Sequence, residues 1–218
     1  MNIPFTTEAF FQVIENYNLV FFPVQIILLL LGVIAIFLLH SERPNKSRFI
    51  GGFLGILWLW TGIAYHLALF TTINKAAYGF GALYVLQGIL FFVKTFGREK
   101  LVFVLNKRPW DFIGYFFIVF GLILYPILIY LSKESLLLTI TLGLPCPSTI
   151  FTFGFLMLTT RAFSKYLLII PTIWAIIGTF AAIHFEVYPD YMLLVTAVVA
   201  NLYLLTGKKE KPDKTQQS

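Results

Sequence analysis

Leu19-Val-Phe-Phe-Pro-Val-Gln-Ile-Ile-Leu-Leu-Leu-Leu-Gly-Val-Ile-Ala-Ile-Phe-Leu-Leu39 runs for 21 residues without a charge. As a helix rising about 1.5 Å per residue, such a run covers the roughly 30 Å of hydrocarbon in a bilayer. Six more apolar stretches follow, at about 49–70, 77–93, 112–131, 135–159, 166–184 and 191–205. Runs of this length are not the alternating decamers of a transmembrane barrel, so each reads as a helix. The whole chain agrees: of its 218 residues 59% are hydrophobic and 12% charged, and its mean hydropathy is +0.85. A soluble globule needs a more polar skin than that, and a disordered chain or a disulfide scaffold a different composition.

The expectation is therefore an all-α polytopic transmembrane bundle of about seven spans. Six spans plus a re-entrant segment is the alternative, because the third and seventh stretches are short and the fifth is interrupted. Residues 19–206 form one transmembrane domain. Ahead of them, 1–18 reads as an interfacial amphipathic segment: Pro4-Phe5-Thr6-Thr7-Glu8 resembles a capped helix start, and Phe10, Phe11, Val13, Ile14 and Tyr17 give it an apolar side. Behind them, 207–218 is basic, polar and expected to be disordered.

Basic residues set the orientation. With the N-terminus outside, fourteen of the sixteen Lys and Arg fall in cytoplasmic loops and the tail; only Lys75 and Lys133 fall outside. The net charge of +6 thus reads as topology, N-out and C-in, and no nucleic acid partner is expected. The acids show no such bias, and Glu8, Glu15, Glu134, Glu186 and Asp190 leave the outer face mildly negative. No span carries a charge at its middle, so a proton relay has no obvious carrier. Cys146 is the single cysteine and permits no internal disulfide.

The fifth stretch contains the sharpest local signal. Pro145-Cys146-Pro147 removes two backbone donors and bars a continuous helix. Pro147-Ser148 suits a new helix start, and the 14 residues from there to Thr160 are too few to span alone. Broken backbone at membrane depth must be buried in protein or line a wet cavity. A half-helix N-terminus there would offer donors to a ligand. The ligand-binding candidates are Cys146, Ser148, Thr149 and His66, with Tyr65 and Asn74. His66 and His184 both end near the outer face. Together with Cys146, and with Glu186 and Asp190 nearby, they form an alternative metal set, though none of the ligand pairs has a recognisable spacing. There is no phosphate loop and no nucleophile elbow, and no motif requires a cofactor.

Pro4-Phe5-Thr6, Tyr17-Asn18, Trp58-x-Trp60-x-Gly62-x2-Tyr65-His66, Ile73-Asn74-x-Ala76 and the string from Gly143 to Gly154 occur in that order. Together they resemble a bacterial family of multi-pass membrane proteins classed as a domain of unknown function. Ser148 stands where that pattern more often carries Thr, a conservative departure. The resemblance implies the bacterial inner membrane and supplies no activity. Three functions stay open: a protein binding or transporting a small solute or ion through an outward-facing cavity at the broken helix; a thiol or metal enzyme using Cys146 with His66 or His184; and a non-catalytic scaffold. The expected partners are the bilayer itself and, as an open alternative, a second copy or a membrane partner subunit.

Overall fold

The computed structural model describes residues 4–97, 101–106, 108–160 and 165–206. Among them the regular structure is helical, with two isolated β-bridges and no strand. The helices are α1 (Thr7–Leu39), α2 (Lys46–Trp60), α3 (Ala77–Phe96), α4 (Pro109–Val119), α5 (Tyr125–Lys133), α6 (Pro145–Met157), α7 (Ile169–Phe185) and α8 (Tyr191–Thr206). A π-helical stretch, Thr61–Leu67, extends α2, and another, Phe120–Leu124, joins α4 to α5. Six helical stretches among the described residues are long and apolar enough to cross a membrane: Thr7–Leu39, Lys46–Thr72, Ala77–Phe96, Pro109–Lys133, Lys165–Phe185 and Tyr188–Leu205. The tail from 207 onward lies outside the described residues, as do Arg98, Lys100, Lys107 and Arg161.

Residues 7–18 form a helical segment joined to the rest of α1 across a kink. They are the opening turns of α1, capped by the Thr6 hydroxyl, which accepts from the Ala9 amide at 3.2 Å. The helix breaks locally at Phe21, two residues before Pro23. Val13, Ile14, Tyr17 and Asn18 are buried rather than spread on a surface. Further along, Gln25, Leu28, Gly32, Ala35 and Leu39 form one buried stripe at three- and four-residue spacing, which packs α1 while its other faces stay apolar and exposed. Elsewhere helices close on small residues. A methyl added at Gly88 would lie 2.9 Å from the Gly55 carbonyl, so α2 and α3 cross nearly backbone to backbone.

The contacts at the two ends fix how the helices alternate. At one end, Phe10 of α1 stacks on Phe185 of α7 with centroids 4.5 Å apart, and the Lys133 ammonium sits 4.2 Å over the Phe11 ring. At the other, His40 meets Tyr115 at 5.6 Å, Trp110 stacks on Tyr203 at 5.2 Å, and Lys94 lies over Tyr166 at 5.2 Å. Consecutive long helices run antiparallel, except that Lys165–Phe185 runs parallel to Pro109–Lys133 because the short stretch between them returns the chain from the first end to the second.

Between α5 and α7 stands α6, only 13 residues long. Its C-terminus reaches the second end, where the Val104 amide donates to Leu158 O at 2.7 Å and the Phe103 amide donates to the Ser47 hydroxyl at 3.0 Å. From Leu142 to Thr159 every residue except Cys146 is buried. The continuous fifth helix that Pro145 and Pro147 forbid is replaced by a loop and a half-helix sheathed in protein.

Candidate functional site

The loop ahead of α6 is held by side chains of α1. Asn18 Nδ2 donates to the carbonyls of Leu137 at 2.5 Å and Thr139 at 2.9 Å, and Gln25 Nε2 donates to Asn18 Oδ1 at 2.6 Å. These bonds satisfy backbone carbonyls that no helix or strand pairs. The chain then turns at Gly143, whose φ of +98° lies in the region that a Cβ disfavours. The Gly143 amide donates to the Ser148 hydroxyl at 3.0 Å, which closes the turn onto the first residues of α6. Above it, Trp60 Nε1 donates to Tyr17 OH at 2.7 Å; a methyl at Gly143 would lie 2.6 Å from that hydroxyl and 2.7 Å from Leu28 Cδ1. The break is therefore covered by Tyr17, Leu28 and Trp60. Its helix N-terminus is also poor in donors. Pro145 and Pro147 have no N–H, and the Ser148 amide turns back to Leu144 O at 3.4 Å.

Beside this turn, α5, α6, α7 and α8 bring four polar side chains together. Asp190 is buried at the head of α8, where Tyr188-Pro189-Asp190 folds as a short 3-10 turn and the Asp190 amide bonds Val187 O at 3.0 Å. The Tyr125 hydroxyl donates to Asp190 Oδ1. The Cys146 thiol lies against Asp190, Tyr125 and Trp174. Gly178 leaves the room: a methyl there would meet Trp174 Nε1 at 3.5 Å and Cys146 Sγ at 3.8 Å. The Trp174 indole N–H has no hydrogen-bond partner although the residue is 8% exposed. No cation offsets the Asp190 carboxylate among the described residues.

The π-helical stretches aim two of the walls. Pro126 has no N–H to give to Leu122 O and its ring crowds that carbonyl; the widened turn Phe120–Leu124 absorbs the clash and presents Tyr125 to Asp190. The other stretch, Thr61–Leu67, carries Tyr65 and His66 inward, both buried. Tyr65 lies within electrostatic range of Cys146 and Asp190. His66 is fully buried with neither ring nitrogen partnered. An unmade hydrogen bond of this kind costs about 1–3 kcal/mol per group, and π-helical turns recur at functional sites. On the far side, the Thr149 hydroxyl donates to Pro145 O at 2.8 Å and pairs with Tyr84 OH at 3.3 Å, while Tyr84 stacks on Trp58 at 4.4 Å.

Of the residues singled out on the sequence, Cys146, Thr149, Tyr65 and His66 converge here. Ser148 instead serves the Gly143 turn. Asn74 closes a local turn just ahead of α3, its Oδ1 accepting from the Ala76 amide at 3.0 Å. His184 is exposed, with its ring edge-on to Phe185 at 5.0 Å. Among the described residues no three His, Cys, Asp or Glu side chains are grouped so as to hold a metal ion. Asp190, which the sequence places on the outer face and names only beside the alternative metal set, is buried here against Tyr125 and Cys146. Its signal was Pro189, which bends the chain inward just before the helix. Tyr125, Tyr84 and Trp174 were indistinguishable from packing aromatics.

No characterised protein matches the chain, and no solved structure does. One family model matches from residue 7 to residue 215, a stretch that includes every residue of the cluster. The chain belongs to DUF6064, a family of unknown function.

Proposed function

We propose that this chain is a seven-pass protein of the bacterial inner membrane, N-terminus outside and C-terminus in the cytoplasm, that binds and passes a small polar solute or ion at the broken fifth pass. The antiparallel alternation of the helix ends supports seven crossings, with the loop 134–144 and α6 together making the fifth. The concentration of Lys and Arg at the end of the molecule that holds His40, Lys94 and Trp110 supports the orientation.

One observation carries the functional reading. Asp190, Tyr125, Cys146 and the unpaired Trp174 N–H meet where the backbone is interrupted. An ionisable residue buried in a membrane bundle is costly and marks a substrate or ion pathway by default, and discontinuous helices build the central sites of many transporters. The cluster offers a carboxylate, a thiol, a hydroxyl and an indole donor, enough to replace the hydration of a small ligand. Tyr17, Leu28 and Trp60 cover the Gly143 turn beside it, so release requires that turn to move.

The test is a thermal-unfolding screen of the detergent-solubilised protein against small cations, anions and polar metabolites, since a ligand that binds the native state raises its apparent stability. A compound that stabilises the wild type should lose most of its effect in Asp190→Asn and Tyr125→Phe. Equal stabilisation of those variants by every active compound overturns the reading.

A further inference from the structure

The groups gathered around Asp190 are acids, and none of them is a base. Its carboxylate is buried. Tyr125 of α5 donates to Oδ1, the Cys146 thiol of α6 lies against the carboxylate, and Tyr65 and Tyr84 stand within electrostatic range, on the π-helical extension of α2 and on α3. Each of these is neutral or, on losing its proton, negative, so none offsets the charge. The charged and basic groups of the same elements face elsewhere. Lys133 sits over the Phe11 ring and Lys75 over Tyr78; Glu134, His184 and Glu186 are exposed. His66 packs on Tyr84 and Trp174 at 4.7 and 5.0 Å with neither nitrogen bonded. A second polar group is also left over: the Trp174 N–H lies against the Cys146 sulfur without a hydrogen-bond partner, in a residue more than nine-tenths buried.

Taking an unpaired carboxylate out of water is costly, and a cation removes the cost. A hard metal cation gathers about six or more oxygen ligands, whereas the cluster holds one carboxylate and the Tyr125 hydroxyl. Space is short as well: a methyl at Gly178, beside Trp174 Nε1 and Cys146 Sγ, would lie 2.7 Å from Leu193 Cδ1. The proton is the cation that needs neither ligands nor space. We infer that the ion bound at this cluster is a proton, taken up by Asp190 from the outer side, and that its arrival reverses the hydrogen bond between Asp190 and Cys146. The proton adds to the carboxylate oxygen that Tyr125 leaves free, forms an O–H bond and discharges the group. Before uptake, the thiol and the Tyr125 hydroxyl both donate to Asp190; the sulfur lone pairs are then free, and the Trp174 N–H is the donor placed to meet them. After uptake, the carboxyl O–H donates to the sulfur and the thiol hydrogen turns away. A solute needs the Gly143 turn to open. The proton does not, since Tyr188, two residues from Asp190, is exposed and Cys146 keeps part of its surface. The proton carrier absent from the middle of every span is thus supplied at the head of α8. This rests on the reading of the cluster as a ligand site and names its ion.

The experiment records infrared difference spectra of the full-length protein in liposomes while the buffer is stepped through the pH range in which it stays folded. The chain has one cysteine, so the S–H stretching band reports on Cys146 alone. Acidification should raise a carboxylic C=O component and shift the S–H band at one common midpoint. Asp190→Asn should abolish both changes. Cys146→Ala, which serves if Asp190→Asn does not fold, should keep the C=O component but move its frequency, because the carboxyl O–H has lost its acceptor. An S–H band indifferent to pH, changes that persist in folded Asp190→Asn, or a C=O frequency unmoved by Cys146→Ala overturns the proposal. The thermal-unfolding screen separates the two claims: a pH-silent S–H band in a protein that a solute still stabilises removes the proton and leaves the solute site. Coupled bands in a protein that no solute stabilises uphold the proton and remove the solute.

Discussion

Gly143 combines a left-handed backbone with contacts on the side where a Cβ would stand. Gly143→Ala should therefore cost about 1–3 kcal/mol from backbone strain alone, with the Tyr17 hydroxyl adding to it. A fall in the thermal midpoint of the solubilised protein, larger than that of a control Gly79→Ala at a position with open space around it, is the expected result. Asn18 poses a different kind of test. Asn18→Leu keeps the branched shape but strips the donors from Leu137 O and Thr139 O, so amide exchange through 135–142 should accelerate while that of α3 stays unchanged. Legibility divides at this scale too. Gly143 and the flanking prolines are local signals, and the sequence displays them. Asp190 looks like any loop acid, because its burial depends on α5 and α6, which are remote in the chain.

The short α6 is gripped as tightly as any element in the molecule. Gly114 on α4 and Gly154 on α6 face each other so closely that a methyl at Gly154 would lie 2.7 Å from the Gly114 carbonyl. Gly154→Val should push α4 from α6 and destabilise by about 1–3 kcal/mol, the usual cost of overpacking, read as loss of the folded peak in size-exclusion chromatography on mild heating. The π-helical turn before Pro126 makes the opposite prediction. Pro126→Ala restores the missing N–H, permits a regular helix and turns the Tyr125 ring away from Asp190. The thermal midpoint should hold or rise while the stabilisation by any cluster ligand falls. A drop in both would mean that the turn serves the fold and not the site. Sequence inspection finds Pro126 and its freed carbonyl; the widening of the turn one step upstream follows from packing that no local pattern records.

For the molecule as a whole, the orientation is the testable quantity. In a Cys146→Ala background, a membrane-impermeant maleimide added to intact cells should label Ser132→Cys and spare Glu42→Cys, with both labelled after permeabilisation. The reverse pattern inverts the topology. The helices themselves were legible because twenty apolar residues in a row leave the chain few other choices. Their boundaries lie a few residues outside the apolar runs, at Lys46 instead of 49 in α2 and at Pro109 instead of 112 in α4, since amphipathic flanks also helix once a neighbour covers them. The convergence of Cys146, Asp190, Tyr125 and Trp174 was not legible, because it arises from four separate helices and periodicity describes one helix at a time.

The sheathing of α6 bears on how the protein is made. As the nascent chain leaves the ribosome, this segment is too short to be held in the bilayer and carries prolines that prevent its joining the helix before it. Its cover is completed only by α7 and α8, which are synthesised later. In the seven-pass reading the fifth pass is completed out of order, because helices that cover α6 follow it in the chain. A chain halted before Asp190 would lack the α8 wall that packs against α6 and the carboxylate that faces Cys146.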